Sequence, residues 1–248
     1  IKALELDRSL AEAHASLAAV KSFYDWDWPA AEREFQRSIE LNPGYASAHQ
    51  MYGILLGARG WSEKAIIELK LAQELAPLST DIAVTALWPF CFAPPSARQY
   101  DRAIAELQKI IKLNTDFQWA HAVLGMLYRE KRKFPEAIGE LKQAVAMEDN
   151  AYNVAYLGSV YAVAGMKDEA QRLLADLVKR SKSEHIASMA LAMLYASMEE
   201  KDSTFAYLQK AYEARDEDMI RLNVEPLFDG LRGDPRFTAL LKKMGLEK

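Results

Sequence analysis

The stretch AHAVLGMLYREKRKFPEAIGELKQAVAMED, residues 120–149, consists of two amphipathic segments separated by a short charged turn. In both segments apolar residues recur at intervals of three and four, which is the spacing of a helix with one buried face. The small residues Ala137 and Ala144 stand in the second segment, and small side chains let two helices approach to about 8–10 Å. The stretch therefore predicts two antiparallel helices that pack closely together.

The same pattern returns along the chain at a nearly constant interval. The counterparts of Ala137 are Ala31, Ala65, Ala103, Ala170 and Thr204, and the successive steps along this column are 34, 38, 34, 33 and 34 residues. Columns four and seven residues later share these steps and contain Phe35, Leu69, Leu107, Leu141, Leu174 and Leu208, and Ser38, Ala72, Ile110, Ala144, Leu177 and Ala211. Three columns with one irregular set of steps indicate a six-fold internal repeat of helix pairs.

The repeat resembles the tetratricopeptide repeat (TPR) family. In that family a leucine–glycine pair and a tyrosine mark the first helix of each unit, and two alanines with an aromatic residue between them mark the second. The residues that match best are Leu124, Gly125, Tyr128, Ala137 and Ala144, followed in the next unit by Leu157, Gly158, Tyr161 and Ala170. The resemblance implies an all-α fold, a right-handed α-solenoid of about six TPR helix pairs with a C-terminal capping helix.

The period predicts a single TPR solenoid over residues 1–248. Repeats are expected at 11–45, 46–79, 80–117, 118–150, 151–184 and 185–218, with 1–10 as the end of a preceding repeat and 219–248 as the C-terminal cap. A lone helix pair buries too little apolar surface to offset the entropy of ordering it, so the repeats must stack without an internal domain boundary. In the cap, Asp234 and Pro235 suit a helix start and Gly245 suits a helix end.

Three histidines, His14, His49 and His121, occupy one column of the repeat, at steps of 35 and 72 residues. One histidine in each of three repeats places them too far apart to share a metal ion, so the pattern predicts packing. Cys91 is the only cysteine, and the sequence contains no phosphate-binding glycine-rich loop, HExxH zinc motif or serine nucleophile elbow. We therefore predict a protein that is not an enzyme and needs no cofactor.

Charge and hydropathy exclude two classes of partner. A net charge of −4 and a pI of about 5.7 argue against nucleic-acid binding. The charge-free stretches 82–97 and 150–166 are shorter than the roughly 20 apolar residues that a membrane-spanning helix needs. A single cysteine fits a reducing compartment, so we expect a cytoplasmic protein. The alternative is an extracytoplasmic part of a membrane-anchored regulator.

The resemblance implies a binding surface, because TPR proteins hold peptides or partner helices in a concave groove lined by the first helices. The family's groove positions correspond here to Gln50, Ile54, Trp119, Met126, Arg129, Tyr152, Met189 and Met193. Aromatic residues, Met and Arg are enriched at recognition surfaces. We expect a protein or peptide partner anchored by apolar side chains. The alternative is that several of these residues face the neighbouring repeat as core.

Two turns are longer than the period allows. YDWDWP in the first repeat contains Trp26 and Trp28, and FAPPSARQY in the third follows Phe90 and begins at Phe92. These aromatic side chains either form a binding feature or fill gaps that the longer turns leave.

The two ends of the repeat region carry a second resemblance. YDWDW near the start, with DPRF and MGL near the C-terminus, resembles the C-terminal TPR region of bacterial multidomain signalling regulators. This implies an alternative function, a regulatory or oligomerisation domain of a larger protein whose effector is a kinase, a cyclase or a transcriptional regulator. Under that alternative the partner includes a second copy of the chain.

Overall fold

The structure is a computed structural model, and it describes Leu4, Asp7 and residues 9–92 and 98–246. The regular elements of these residues are helical, with no strand among them. The α-helices are α1 Ala11–Val20, α2 Trp28–Leu41, α3 Ala46–Ala58, α4 Ser62–Leu75, α5 Thr80–Thr85, α6 Trp88–Cys91, α7 Tyr100–Leu113, α8 Gln118–Glu130, α9 Phe134–Met147, α10 Ala151–Val163, α11 Lys167–Arg180, α12 Ser188–Ser197, α13 Lys201–Glu213 and α14 Pro235–Lys243. The prediction of an all-α fold is confirmed.

Each predicted repeat contains a first helix followed by a second helix. The first helices are α1, α3, the broken helix α5–α6, α8, α10 and α12, and the second helices are α2, α4, α7, α9, α11 and α13. The predictions for residues 1–10 and for the extra residues of the third turn fall largely on 1–3, 5–6, 8 and 93–97, outside the residues described. None of the helices in the described part of the chain is both long and apolar enough to cross a bilayer.

The second helices bury one stripe each. The buried residues of α4 are Ala65, Leu69 and Ala72, and those of α9 are Ala137, Leu141 and Ala144. These are the three columns that the sequence repeat identified. Ile110 and Leu174 belong to the same columns and are half-buried, so the contact is looser in their repeats.

The first helices of the later repeats are buried around their whole circumference. Every residue is buried from Ala120 to Tyr128 in α8, from Asn153 to Tyr161 in α10, and from Met189 to Leu194 in α12. Runs of six or more residues cover all sides of a helix, because a turn takes 3.6 residues. The side facing away from the second helix is therefore also covered by protein.

The turn inside most repeats depends on one residue in the left-handed region. These residues are Gly60, Arg132, Gly165 and Glu199, with φ of 78°, 57°, 82° and 63°. The next residue closes the turn, as where the N–H of Trp61 donates to the carbonyl oxygen of Leu56 at 2.9 Å. This six-to-one hydrogen bond ends the first helix and reverses the chain, which sets the second helix antiparallel to it.

Two repeats depart from this pattern where the sequence departs from the period. The extra residue of the first repeat is absorbed by a π-helical turn, Lys21–Asp25, followed by Trp26 at φ 57°. In the third repeat Pro89 splits the first helix into α5 and α6, because proline lacks an N–H and clashes with the preceding turn. The aromatic residues of these turns are packing features: Trp26, Trp28, Phe90 and Phe92 are all buried.

The chain divides into two compact units. The first contains the described residues of Ile1–Arg98, Glu217–Glu225 and Ala239–Lys248, and the second contains Gln99–Asp216 and Pro226–Thr238. The C-terminal part of the chain thus contributes to both units, beyond the cap on the last repeat that the sequence predicts. Whether the repeats unfold as a single cooperative solenoid stays a prediction.

The last helix, α14, begins and ends where the sequence predicts. Asp234 accepts a hydrogen bond from the N–H of Arg236 at 2.9 Å, and Gly245 takes φ 65° after the last turn. These are the start and stop interactions of an isolated helix.

The leucine–glycine pair gives the first prediction. A Cβ on Gly125 would lie 2.5 Å from Leu141 Cγ and 3.2 Å from the carbonyl oxygen of Ala137, so we expect Gly125→Ala to lower the free energy of unfolding by about 1–3 kcal/mol. Gly139→Ala is the matched control, because a Cβ there meets nothing within 4 Å and alanine favours the helix by about 1 kcal/mol. Urea unfolding followed by circular dichroism measures both, and equal effects would contradict the close-packing explanation.

Candidate functional site

The candidate site is, within each unit, the surface formed by the first helices. Three of these helices carry a histidine that links the helix to its surroundings. Nδ1 of His49 lies 2.7 Å from Glu68 Oε2 on the second helix, and Nε2 lies 3.0 Å from the carbonyl oxygen of Pro43. His121 repeats this arrangement with Glu140 at 2.6 Å and with a backbone carbonyl at 3.0 Å. Both ring nitrogens of these two residues are therefore engaged within the protein.

The glutamate partners of the histidines recur with the period of the repeat as well. His14 Nδ1 lies 2.6 Å from Glu34 Oε2. Glu34, Glu68 and Glu140 are separated by 34 and 72 residues, nearly the steps of the histidines, and this spacing is the signal that could have identified them. In the fifth repeat Asn153 makes a similar contact with the backbone before the first helix, since its Nδ2 donates to the carbonyl oxygen of Glu148 at 2.8 Å. Among the residues that the structure describes, no group of three or more His, Cys, Asp or Glu could hold a metal ion.

The single cysteine lies in α6. Cys91 is buried, and burial raises the pKa of its thiol well above the ordinary value. The thiolate is the reactive form of cysteine, so this side chain is inert at neutral pH.

The eight predicted groove residues differ in their exposure. Five are half-buried and keep part of their surface in solvent: Gln50, Ile54, Trp119, Arg129 and Tyr152. Met126 is 7% exposed, and Met189 and Met193 are fully buried. The buried methionines contact protein in this structure, as the core alternative predicts for them.

The half-buried residues also make contacts of their own. Gln50 Nε2 donates to Thr85 Oγ1 at 3.0 Å, which joins the first helices of two successive repeats. The Trp119 ring meets the ring of Phe117 edge-on, with centroids 6.3 Å apart. These contacts hold the side chains in one orientation, as recognition of a partner requires.

In the second unit, a chain segment past the last repeat lies on the first helices. We refer to residues 216–246 as the C-terminal segment. Asp216 accepts hydrogen bonds from the Tyr152 hydroxyl and from the N–H of Met189, each at 3.1 Å. The 3-10 turn Pro226–Leu231 packs on α12. The face of α12 that meets this turn is therefore covered by the chain itself.

The C-terminal segment also contacts α13, the second helix of the last repeat. Arg236 pairs with Asp202 of α13 at 2.7 Å and lies over the Phe205 ring at 4.1 Å from its centroid. The rings of Phe228 and Phe237 are 6.2 Å apart. The predicted cap on the last repeat thus exists.

In the first unit, other residues of the C-terminal segment pack on the early repeats. The 3-10 turn Glu217–Arg221 contacts the π-helical turn Lys21–Asp25 and α3. The indole N–H of Trp28 donates to the carbonyl oxygen of Met244 at 2.6 Å. A Cβ on Gly245 would lie 3.2 Å from the same indole nitrogen, so the chain passes close to this ring.

The C-terminal segment also contains buried charged residues that belong to the first unit. Arg221 lies 2.9 Å from Asp218 and 3.6 Å from Glu225, which is fully buried. The guanidinium of Arg221 lies over the ring of Phe92, 5.6 Å from its centroid. Buried charges are stable only when paired, and the pairs within the segment allow Arg221 to lie against Phe92.

The sequence predicts a cap on the last repeat over 219–248 and does not indicate contacts of this region with the early repeats. The signal is an apolar run that follows the last repeat without matching any column of the period. Its buried members are Met219, Ile220, Leu222, Val224, Leu227, Phe228 and Leu231. Apolar side chains at this density after the sixth repeat indicate a further packing surface.

Comparison with known proteins agrees with this architecture. A family model described as a tetratricopeptide repeat matches residues 34–67. No curated protein sequence matches significantly.

Solved structures extend the similarity to nearly the full chain. PilW, a widely conserved type IV pilus biogenesis factor, is 14% identical, with 93% of this chain and 98% of that chain covered and a TM-score of 0.61. A chain of the APC/C hetero-tetramer Cut9–Hcn1 is 16% identical, with 97% and 44% covered and a TM-score of 0.63. TTC0263, a thermophilic TPR protein of Thermus thermophilus, is 18% identical, with 94% and 99% covered and a TM-score of 0.54. At these identities the similarity concerns the fold.

The histidine–glutamate contact gives the second prediction. In a double-mutant cycle with His121→Ala and Glu140→Ala, we expect a coupling free energy of about 1–2 kcal/mol, because each single change leaves a partly buried polar partner behind. Chemical denaturation of the four proteins measures it. The control cycle combines His121→Ala with Glu68→Ala of another repeat, whose effects should add. Additivity within the His121–Glu140 cycle would show that the contact contributes nothing.

Proposed function

We propose that this chain, whose residues 34–67 match a tetratricopeptide repeat model, acts without catalysis, by holding another polypeptide against the first helices of its repeats. The partner is a protein or a peptide with apolar anchor residues. The partner-binding residues are those predicted from the family's groove, within each unit: Gln50 and Ile54 in the first, and Trp119, Met126, Arg129, Tyr152, Met189 and Met193 in the second.

One observation carries this proposal: the chain's own C-terminal segment already lies on the first helices. In the second unit it offers a carboxylate to Tyr152 and to the backbone of α12. It also packs the turn Pro226–Leu231 against the same helix. A surface that accepts an irregular polypeptide in this way has the shape and the hydrogen-bonding groups for a polypeptide from elsewhere.

The half-buried residues are suited to start such an interaction. Trp119 and Tyr152 present aromatic surface together with a polar group, and Arg129 adds a cation beside Glu130. Aromatic residues and arginine carry most of the binding energy at protein interfaces, where they form a central cluster. Met126, Met189 and Met193 lie deeper, and their flexible side chains suit varied apolar partners.

The residues with reactive side chains support a function without catalysis. The thiol of Cys91 is buried and protonated at neutral pH. The ring nitrogens of His49 and His121 are engaged by glutamate and backbone oxygens. These groups act as parts of the scaffold.

The third prediction tests the surface with peptides selected from a displayed random library on the immobilised chain. We expect Trp119→Ala to weaken their binding about tenfold or more, because truncating a central aromatic anchor costs at least that much. Trp61→Ala is the control, since Trp61 lies in the turn before α4 and stacks on Arg59. Fluorescence anisotropy measures the affinities, and circular dichroism checks that helicity is kept.

Two results would overturn the proposal. Selected peptides could bind Trp119→Ala and the control with equal affinity, or the selection could yield no peptide that binds. Light scattering on the chain alone is measured first, so that binding between copies is recognised before peptide is added.

A further inference from the structure

The C-terminal segment contacts the same helices that carry predicted partner-binding residues. Asp216 accepts hydrogen bonds from the Tyr152 hydroxyl and the Met189 N–H, and Pro226–Leu231 packs on α12. A partner that binds Tyr152 and the start of α12 must therefore take the place of the segment.

We propose that the C-terminal segment is a built-in competitor of the partner, which binds by displacing it from the first helices. This inference rests on the proposed function and adds its regulation. The affinity for a partner is then set by the fraction of molecules in which the segment has left the surface.

The segment is held by groups of the surface more than by its own structure. Between the last repeat and α14 its regular parts are the short 3-10 turns Glu217–Arg221 and Pro226–Leu231. Hydrogen bonds in 3-10 turns have poorer geometry than those of an α-helix, and such turns are not stable alone. Contacts to the first helices therefore contribute to the order of these turns, and another polypeptide can supply the same contacts.

The contacts of Asp216 define what such a polypeptide must offer. The residue before α12, Ala187, provides no side-chain cap, and Asp216 instead accepts the hydrogen bond of the Met189 N–H at 3.1 Å. The first N–H groups of a helix lack partners within it and favour a negative charge. The same carboxylate accepts from Tyr152.

An apolar contact in the second unit indicates a second feature that the partner needs. Phe228 is fully buried in the turn that packs on α12. The matching partner thus carries an acidic side chain for the start of α12 and a bulky apolar side chain for the place of Phe228. The chemical class is an acidic peptide with aromatic or large aliphatic anchors.

The experiment uses the full chain and a labelled synthetic peptide with the sequence of residues 216–246. We expect weak binding to the unchanged chain, because the attached segment competes at a high effective concentration. Asp216→Ala in the chain should strengthen peptide binding about tenfold, since the attached segment loses two hydrogen bonds while the added peptide keeps its aspartate. Asp149→Ala is the matched control, because it removes a carboxylate that pairs with Arg180 on the surface.

A second variant weakens the attached segment at its other contact with the repeats. Arg236→Ala in the chain removes the ion pair with Asp202 and the contact with the Phe205 ring, while the added peptide keeps its arginine, and should strengthen peptide binding about fivefold. Arg172→Ala is its control, because Arg172 pairs with Glu169 on the surface. Thermal unfolding confirms that each variant folds, and either variant alone suffices for the comparison. Equal affinities of the unchanged chain, the releasing variants and the controls would overturn the inference.

Hydrogen exchange separates this inference from the proposed function. A peptide from the displayed library should increase the exchange rates of amides in 217–231, because it displaces the segment. If such a peptide binds through Trp119 while those amides keep their rates, the segment is not a competitor and the proposed function stands. If neither the releasing variants nor the unchanged chain binds any peptide, the proposed function fails and the inference with it.

Discussion

The fold depends on the close approach of two helices within each repeat. At Gly125 the backbone of the first helix passes so near Leu141 that a single methyl group would lie 2.5 Å from its Cγ. Gly53 and Leu69 meet at the same distance two repeats earlier. Because these contacts fix the distance and angle inside each pair, each pair presents its first helix to the neighbouring pair of its unit in a defined orientation.

The helix pairs were predictable from the sequence because their determinants are local and recur. Ala137, Leu141 and Ala144 lie on one face of one helix, and equivalent residues stand one period away. A left-handed residue such as Gly60 or Gly165 ends a first helix by contacts within six residues. Patterns of this kind can be recognised in a single sequence, because each copy of the repeat supports the interpretation of the others.

The candidate site was less predictable because its environment depends on distant residues. The positions of Trp119 and Tyr152 follow from the repeat, but the contact of Tyr152 with Asp216 involves a segment that has no period. The hydrogen bond between Trp28 and Met244 spans 216 residues. Periodicity carries no information about such a contact, and apolar composition alone does not distinguish a cap on one repeat from a segment that packs on several.

That long-range hydrogen bond bears on how the protein is made. Repeat arrays usually form contacts between neighbours only, so each unit can fold as it leaves the ribosome. Here the hydrogen-bond acceptor of Trp28 is synthesised roughly 10–40 s after Trp28 itself, at about 5–20 residues per second. During that interval the indole and the early first helices lack their final covering. Nascent chains are therefore exposed to aggregation and to chaperones at the repeats around Trp28, and a slow docking step completes the folding of this unit.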